Sequence, residues 1–146
     1  LITVELAARA DHVTALEPAS SALETARTRA LVLRNVTLRR GAVPEDWPDG
    51  EFDTVVLSEV GYYLSPGDLQ RTISLIDGAM SDDGCVLACH WRHPVADYPQ
   101  TGDQVHAALR SVPSWESIAR HEEEDFLLEV FGRRPVVSVA RREGLR

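Results

Sequence analysis

The stretch GEFDTVVLSEVGYYL, residues 50–64, decides the fold class of this chain. Within it, residues 52–57 are a nearly continuous apolar run, without the alternation of a strand that has one solvated face. Such a run is typical of a central strand in a parallel sheet that is covered on both faces. Ser58 and Glu59 follow at once, so the predicted strand ends at two polar side chains.

Helical and strand-like segments alternate on the N-terminal side of this stretch. Residues 1–10 have a helical pattern without a capping residue, and residues 13–16 are β-prone. Ser21 and Glu24 have the spacing of a capping box, which predicts a helix start. A further strand is predicted over residues 35–38.

The alternation continues on the C-terminal side. Ser65 before Pro66 predicts a helix start, because a hydroxyl can cap the helix and proline suits its first position. Residues 85–89 (CVLAC) predict another short apolar strand. Thr101 and Gln104 form a second capping-box pattern and predict one more helix.

The last segments differ from the rest, because residues 117–123 and 126–131 are two strand-like runs around an acidic turn. They predict an antiparallel hairpin at one end of the sheet. The whole order therefore predicts a Rossmann-like three-layer α/β/α sandwich with a mostly parallel sheet and a C-terminal antiparallel hairpin.

Size and charge restrict the classes of function. A chain of 146 residues with 44% hydrophobic residues predicts one domain over residues 1–146. Its net charge of −8 disfavours nucleic acid and anionic membranes as partners. The apolar runs are far shorter than the roughly 20 residues that a membrane span needs. We therefore predict a cytoplasmic protein, monomer or homodimer, that binds neither nucleic acid nor membrane.

The cysteines and histidines near residue 90 predict neither a disulfide nor a metal site. Cys85 and Cys89 lie on one predicted strand, where four residues of rise separate them by roughly 13 Å. A disulfide needs α-carbons within about 7 Å, so both thiols are expected to be free. His90 and His93 have HxxH spacing, but no third His lies nearby, and no metal is predicted.

The ends of the predicted strands contain the candidate site residues, because ligands of open parallel sheets bind beyond the carboxyl ends of the strands. Glu17 ends the first predicted strand, where Rossmann-like nucleotide sites place an acid that accepts hydrogen bonds from ribose hydroxyls. Glu59 ends the central strand, and His90 and His93 follow the next one. These last three residues are therefore expected to face one pocket.

Three segments of the chain resemble the middle of class I S-adenosylmethionine-dependent methyltransferases. They are residues 12–31 (HVTALEPASSALETARTRAL), 50–64 and 81–89 (SDDGCVLAC). The pattern SEV followed by YYL in residues 58–64 is similar to the N-methyltransferases of the nodulation protein S type, which methylate an amine on a chitooligosaccharide. The resemblance implies S-adenosyl-L-methionine as cofactor and a small-molecule or oligosaccharide acceptor, with an amine nitrogen as the target.

The resemblance also implies roles for individual residues. An amine must present a free lone pair to the methyl group, so a carboxylate or imidazole that takes up its proton would help. The candidate catalytic residues are Glu59, His90 and His93. The candidate cofactor-binding residues are Glu17, Pro18, Ala42, Val43 and Ser58, and the candidate acceptor-binding residues are Tyr62, Tyr63 and Trp91.

The chain departs from the family pattern at two places. The family's glycine-rich turn would precede Leu1, so we expect upstream residues to supply that turn and the first central strand. The 146 residues alone are expected to be poorly soluble or to bind the cofactor weakly. Many members carry an acid after the third strand, where this chain has Ala42 after Gly41. Backbone groups of Ala42 and Val43 would then hold the adenine.

Two alternatives come from other classes of protein. Glu17 would serve the ribose of NAD equally well, as in a Rossmann-type oxidoreductase, although the C-terminal antiparallel pair argues against that class. A methyltransferase-like domain that binds a partner without catalysis is the other alternative.

Overall fold

The computed structural model describes residues 2–145 and divides the chain into two compact units, before and after the step from Asp49 to Gly50. The N-terminal unit contains α1 (Ile2–Ala7), β1 (Val13–Glu17), α2 (Ser20–Ala30) and β2 (Val36–Arg40). Strands β1 and β2 pair in parallel, and Glu17 lies in register with Arg40. The parallel pairing confirms the strand–helix–strand order predicted for this region.

Helix α2 begins one residue earlier than its predicted cap. Leu23, Ala26 and Ala30 are buried along one face, as their helical spacing predicts. The predicted capping box of Ser21 and Glu24 is wrong, because the helix starts at Ser20 and no side chain caps it from the Ncap position. Ser21 therefore lies inside the first turn, where its side chain cannot act as the Ncap acceptor.

The C-terminal unit contains one four-stranded sheet in the order β3-β4-β6-β5. Strand β3 pairs with β4 in parallel, whereas β4 with β6 and β5 with β6 are antiparallel. The predicted C-terminal hairpin and the α/β fold class are thereby confirmed. The predicted central position of residues 52–57 is not observed in the described residues, because β3 lies at the edge of this sheet and only its Leu57 is buried. The elements are β3 (Phe52–Ser58), a 3₁₀ turn (Gly61–Tyr63), α3 (Pro66–Ala79), β4 (Met80–Trp91), α4 (Gly102–Arg110), β5 (Trp115–Glu122), β6 (Phe126–Arg133) and α5 (Val139–Arg142).

Strand β4 is much longer than the predicted strand over residues 85–89. At its start, Met80 pairs with Phe52 and Cys85 with Thr54, so residues 81–84 are accommodated as a bulge rather than as a separate turn. At its end, His90 and Trp91 pair with Leu127 and Phe126 of β6. These two residues therefore belong to the strand, whereas the sequence predicted them after it.

Two of the predicted helix starts are formed as expected. The Ser65 side chain accepts a hydrogen bond from the Asp68 N–H at the start of α3. Thr101 and Gln104 form a reciprocal capping box at the start of α4. Helix α3 buries Leu69, Ile73 and Ile76.

The core of the C-terminal unit includes polar side chains as well as apolar ones. Val86, Ala88 and His90 are fully buried along one face of β4. Leu127, Glu129 and Phe131 are buried in the same alternation along β6. Cys85 and Cys89 are free thiols. Within residues 2–145, no helix is long and apolar enough to cross a membrane.

Candidate functional site

The carboxyl ends of β1 and β2 border an open cleft in the N-terminal unit. Its volume is about 340 Å³, which is within the range of small-molecule sites. Glu17 ends β1 and is half-buried, and its Oε1 accepts a hydrogen bond from the Ala19 N–H at 2.9 Å. Among the described residues, none donates to Oε2 of Glu17. The cleft is lined by Pro18, Arg40, Gly41, Ala42 and Asp46.

Asp46 supplies the carboxylate that the sequence lacks directly after β2. Its Oδ2 accepts from the Ala42 N–H at 2.9 Å, and its own N–H donates to the Ala42 carbonyl at 2.9 Å. A Cβ at Gly41 would lie 2.6 Å from Cβ of Asp46, so this close approach requires glycine. Sequence analysis missed Asp46 because its turn contains several acids and only the loop conformation selects one.

Glu59 has a strained backbone at the end of β3. Its φ of 57° lies in the left-handed region, which a non-glycine residue adopts at an energetic cost and often at functional sites. The Glu59 N–H donates to the carbonyl of Cys89 at 2.9 Å. On its side chain, Oε1 accepts from the Trp91 N–H at 2.9 Å, and Oε2 accepts from the Tyr62 hydroxyl. The carboxylate is thus held by groups of two further segments.

Three tyrosine rings lie beside this carboxylate. Tyr62 is buried and stacks on Tyr98 with a centroid separation of 5.0 Å. The hydroxyls of Tyr63 and Tyr98 are 2.9 Å apart, and the Tyr63 ring is 54% exposed. Burial, and then the hydrogen bond to Glu59, raise the pKa of Tyr62, so its hydroxyl stays a donor at neutral pH. Sequence analysis missed Tyr98 because it lies in an irregular loop.

His90 lies in the protein interior. It is fully buried, and its Nε2 accepts from the Gly61 N–H at 3.1 Å. Its Nδ1 is 3.2 Å from Nε2 of His106. Burial, with a smaller effect from His106, lowers the pKa of His90 to about 3. The imidazole is therefore neutral at physiological pH, and both of its nitrogens have protein partners.

His93 and Trp91 lie at the surface. The His93 Nε2 is 2.8 Å from Oδ1 of the exposed Asp125. The Trp91 ring is 42% exposed and lies 4.9 Å, between centroids, from the His93 ring. Ser58 is half-buried and in register with Cys89. The structure thus brings Glu59 together with Tyr62 and the Trp91 backbone, but it separates the buried His90 from the exposed His93.

The structure is similar to solved methyltransferases. A protein from Pseudomonas syringae assigned as a methyltransferase matches with a TM-score of 0.79 and 36% identity, over 90% of this chain and 80% of that chain. Because more than a third of the aligned residues are identical over most of both chains, this match shows the family. The chain belongs to the class I S-adenosylmethionine-dependent methyltransferases. This methyltransferase therefore has the Rossmann-like fold that its sequence predicts.

Two further structures are similar to the methyltransferase at lower identity. The N-methyltransferase NodS from Bradyrhizobium japonicum, in complex with S-adenosyl-L-homocysteine, has a TM-score of 0.77 and 19% identity over 90% of this chain and 71% of that one. The glycopeptide N-methyltransferase MtfA has a TM-score of 0.69 and 20% identity over 90% of this chain and 78% of that one. No protein-family model and no curated protein matches the sequence.

Proposed function

We propose that this methyltransferase transfers a methyl group from S-adenosyl-L-methionine to an amine nitrogen of a small molecule or saccharide. The observation that carries the proposal is the Glu59 carboxylate, which is exposed, backbone-strained and held by Tyr62 and Trp91. A carboxylate beside tyrosine rings suits a cationic amine, because both the negative charge and the electron-rich ring faces attract an ammonium group.

The residues of the N-terminal cleft fit the nucleoside part of the cofactor. Oε2 of Glu17, the oxygen that Ala19 does not use, can accept from a ribose hydroxyl. Asp46 presents a carboxylate held by Ala42, and its Oδ1 can accept from the adenine amino group. Asp46 in the cleft lining and Glu17, next to the lining residue Pro18, therefore offer acceptors for both. When bound, the cofactor supplies a methyl carbon activated by its sulfonium, so the protein mainly has to align the acceptor.

Glu59 is the residue that we propose takes up the proton of the acceptor amine. Its side chain is fixed on one oxygen by the Tyr62 hydroxyl and on the other by the Trp91 N–H. Each oxygen retains a lone pair for the ammonium proton. The exposed His93, paired with Asp125, is a second candidate for proton uptake, and the exposed rings of Tyr63 and Trp91 are candidate acceptor contacts.

The amine preference is supported by the activities of NodS and MtfA, both N-methyltransferases. We propose the nodulation protein S type for the same reason, together with the SEV–YYL pattern of residues 58–64. The family assignment leaves the oxidoreductase alternative without support. The non-catalytic alternative predicts cofactor binding without turnover.

Calorimetry followed by a methylation assay tests the proposal. We expect the full-length gene product to bind S-adenosylhomocysteine and not NADH, and to methylate members of a panel of primary amines and amino sugars when S-adenosylmethionine is supplied. Mass spectrometry of the products locates the new methyl group. Binding without methylation of any amine, or methylation on oxygen alone, would contradict the proposed reaction.

Glu17→Gln is expected to weaken S-adenosylhomocysteine binding by roughly 1 to 3 kcal/mol relative to the unsubstituted chain, because a charge-assisted hydrogen bond is lost. Glutamine also introduces a donor beside the diol. Folding should be nearly unchanged, because Glu17 is half-buried and the substitution retains its shape. Titration calorimetry measures the effect, and Glu24→Gln, at an exposed position of α2, is the matched control. Equal affinities of the two variants would exclude Glu17 from the cofactor site.

A further inference from the structure

A chain of hydrogen bonds connects the acceptor side of the sheet to the surface through the core. It starts at the Gly61 N–H, which His90 accepts, and passes from His90 to His106. Nδ1 of His106 is 2.8 Å from Oε2 of Glu129, and Nη1 of Arg110 donates to the same oxygen at 2.5 Å. His90, His106 and Glu129 are each at most 1% exposed. Burying such a network lowers the stability of the fold unless every polar group in it has a hydrogen-bond partner, so its presence needs an explanation.

The donors and acceptors of this hydrogen-bond chain are compatible with one arrangement of protons. An amide N–H can only donate, so Nε2 of His90 accepts from Gly61 and its Nδ1 carries the proton. A carboxylate accepts, so Nδ1 of His106 donates to Glu129 and its Nε2 accepts from His90. Burial lowers the pKa of both histidines, although Glu129 opposes the effect at His106. Both rings are therefore neutral and fixed in one tautomer.

The same chain fixes the turn that carries Tyr62. A Cβ at Gly61 would lie 2.5 Å from Cγ1 of Val105 and 3.0 Å from Nε2 of His90, so the turn packs directly against α4 and β4. The Tyr62 ring meets the His90 ring edge-on, with centroids 5.6 Å apart. Tyr62 in turn donates to Glu59. The position of the Glu59 carboxylate thus depends on the turn, and the turn depends on His90.

We propose that His90, His106 and Glu129 are positioning residues of the acceptor site, which hold the Gly61 N–H and thereby present the Tyr62 hydroxyl to Glu59. The inference rests on the proposed function insofar as it concerns turnover. The hydrogen-bond chain orients Gly61 and Tyr62. It does not conduct protons to the acceptor, because it ends at a backbone amide that keeps its proton. Arg110 balances the buried charge of Glu129 at the far end.

The experiment uses tyrosine labelled with ¹³C at Cζ, with the Tyr62 signal assigned from Tyr62→Phe. At about pH 10 an ordinary tyrosine is half ionised, whereas wild-type Tyr62 should stay protonated because burial and Glu59 raise its pKa. His90→Leu removes the acceptor of the Gly61 N–H, and Tyr62 should then be partly ionised at the same pH. His90→Gln keeps a carbonyl oxygen for Gly61 and should retain the wild-type signal. His121→Leu, at an exposed histidine, is the matched control.

Turnover gives a second measurement. His90→Leu should lower kcat by about 10²-fold, the order expected for a small misplacement of catalytic groups, with the KM for S-adenosylmethionine unchanged. His90→Gln should recover most of that loss. If His90→Leu does not fold, His106→Leu breaks the same chain one step away and is measured instead.

The two proposals fail in different ways. A Tyr62 signal that is unchanged in the folded leucine variant would overturn the positioning role, whether or not amines are methylated. Equal losses in the glutamine and leucine variants, with parallel loss of cofactor binding, would also overturn it, because they indicate general damage. If no amine is methylated but Tyr62 becomes partly ionised in His90→Leu as expected, the proposed reaction is refuted. The role of the hydrogen-bond chain in placing Tyr62 is then retained.

Discussion

Replacing Glu59 with glutamine is expected to lower kcat by something like 10²–10⁴-fold, the range typical of losing a general base. The glutamine keeps the length of the side chain. Its carbonyl oxygen can still accept from the Trp91 N–H, and its NH₂ group can donate to the Tyr62 hydroxyl oxygen. It cannot take up a proton from the acceptor amine. The loss should therefore appear in kcat, while the KM for S-adenosylmethionine is nearly unchanged. Steady-state kinetics with an identified amine acceptor measures both quantities.

The dependence on pH distinguishes a base from an alignment residue. If Glu59 takes up the proton, raising the pH should recover part of the Glu59→Gln activity, because more of the amine then arrives unprotonated. Glu116→Gln, at an exposed position of β5, should keep wild-type kinetics. Full activity of Glu59→Gln across the pH range would mean that catalysis is by alignment alone, and the assignment of a base would be withdrawn.

Acid is expected to destabilise the folded chain through the buried His90. Its pKa is about 3 when folded and about 6.5 when unfolded, so between these values the unfolded chain binds a proton that the folded chain does not. The stabilising contribution is complete above pH about 6.5 and is lost as the pH falls toward 3. The loss is about 1.4 kcal/mol for each pH unit. The loss of stability over two or three pH units is a large part of the 5–15 kcal/mol that usually stabilises a domain.

The groups around His90 and His106 support the expected loss of stability in acid. His90 faces the Gly61 amide, the Tyr62 ring and His106, none of which carries a negative charge at neutral pH that would favour its protonation. Burial lowers the pKa of His106 as well, although Glu129 opposes that effect and Asp103 opposes it weakly, whereas Arg110 adds to it. Both histidines therefore act in the same direction.

Urea denaturation at pH 7, 6 and 5 measures the effect. In wild type, the free energy of unfolding should fall as the pH is lowered. His90→Gln removes one titrating group, so below about pH 6 its slope should be smaller by nearly one proton, equivalent to about 1.4 kcal/mol per pH unit. His121→Leu, at an exposed histidine, is the control for the loss of a histidine side chain as such. Identical slopes in wild type and His90→Gln would show that His90 is protonated as readily in the folded state as in the unfolded state.

The elements of the fold follow largely from local patterns. The apolar run of residues 52–57, the cap at Ser65 and the capping box of Thr101 act over a few residues, so sequence alone predicts them. The length of β4 depends on long-range pairing, because Trp91 belongs to the strand only through Phe126 of β6. The Ser21 pattern failed for a related reason, since the helix began one residue earlier than its best local cap.

The sequence by itself determined the chemical types at the strand ends, namely Glu17, Glu59 and the tyrosine pair of residues 62–63. These follow from strand periodicity, because the carboxyl end of a predicted parallel strand is also the place of its ligand contacts. The tertiary structure decided which side chains meet. It joined His90 to the distant Glu129 through His106, and it separated His90 from His93 although they are three residues apart. His90 lies within β4 and faces the packed core, whereas His93 lies beyond Trp91, the last residue of that strand. Where the strand ends and what packs against its face depend on distant residues, which no local pattern records.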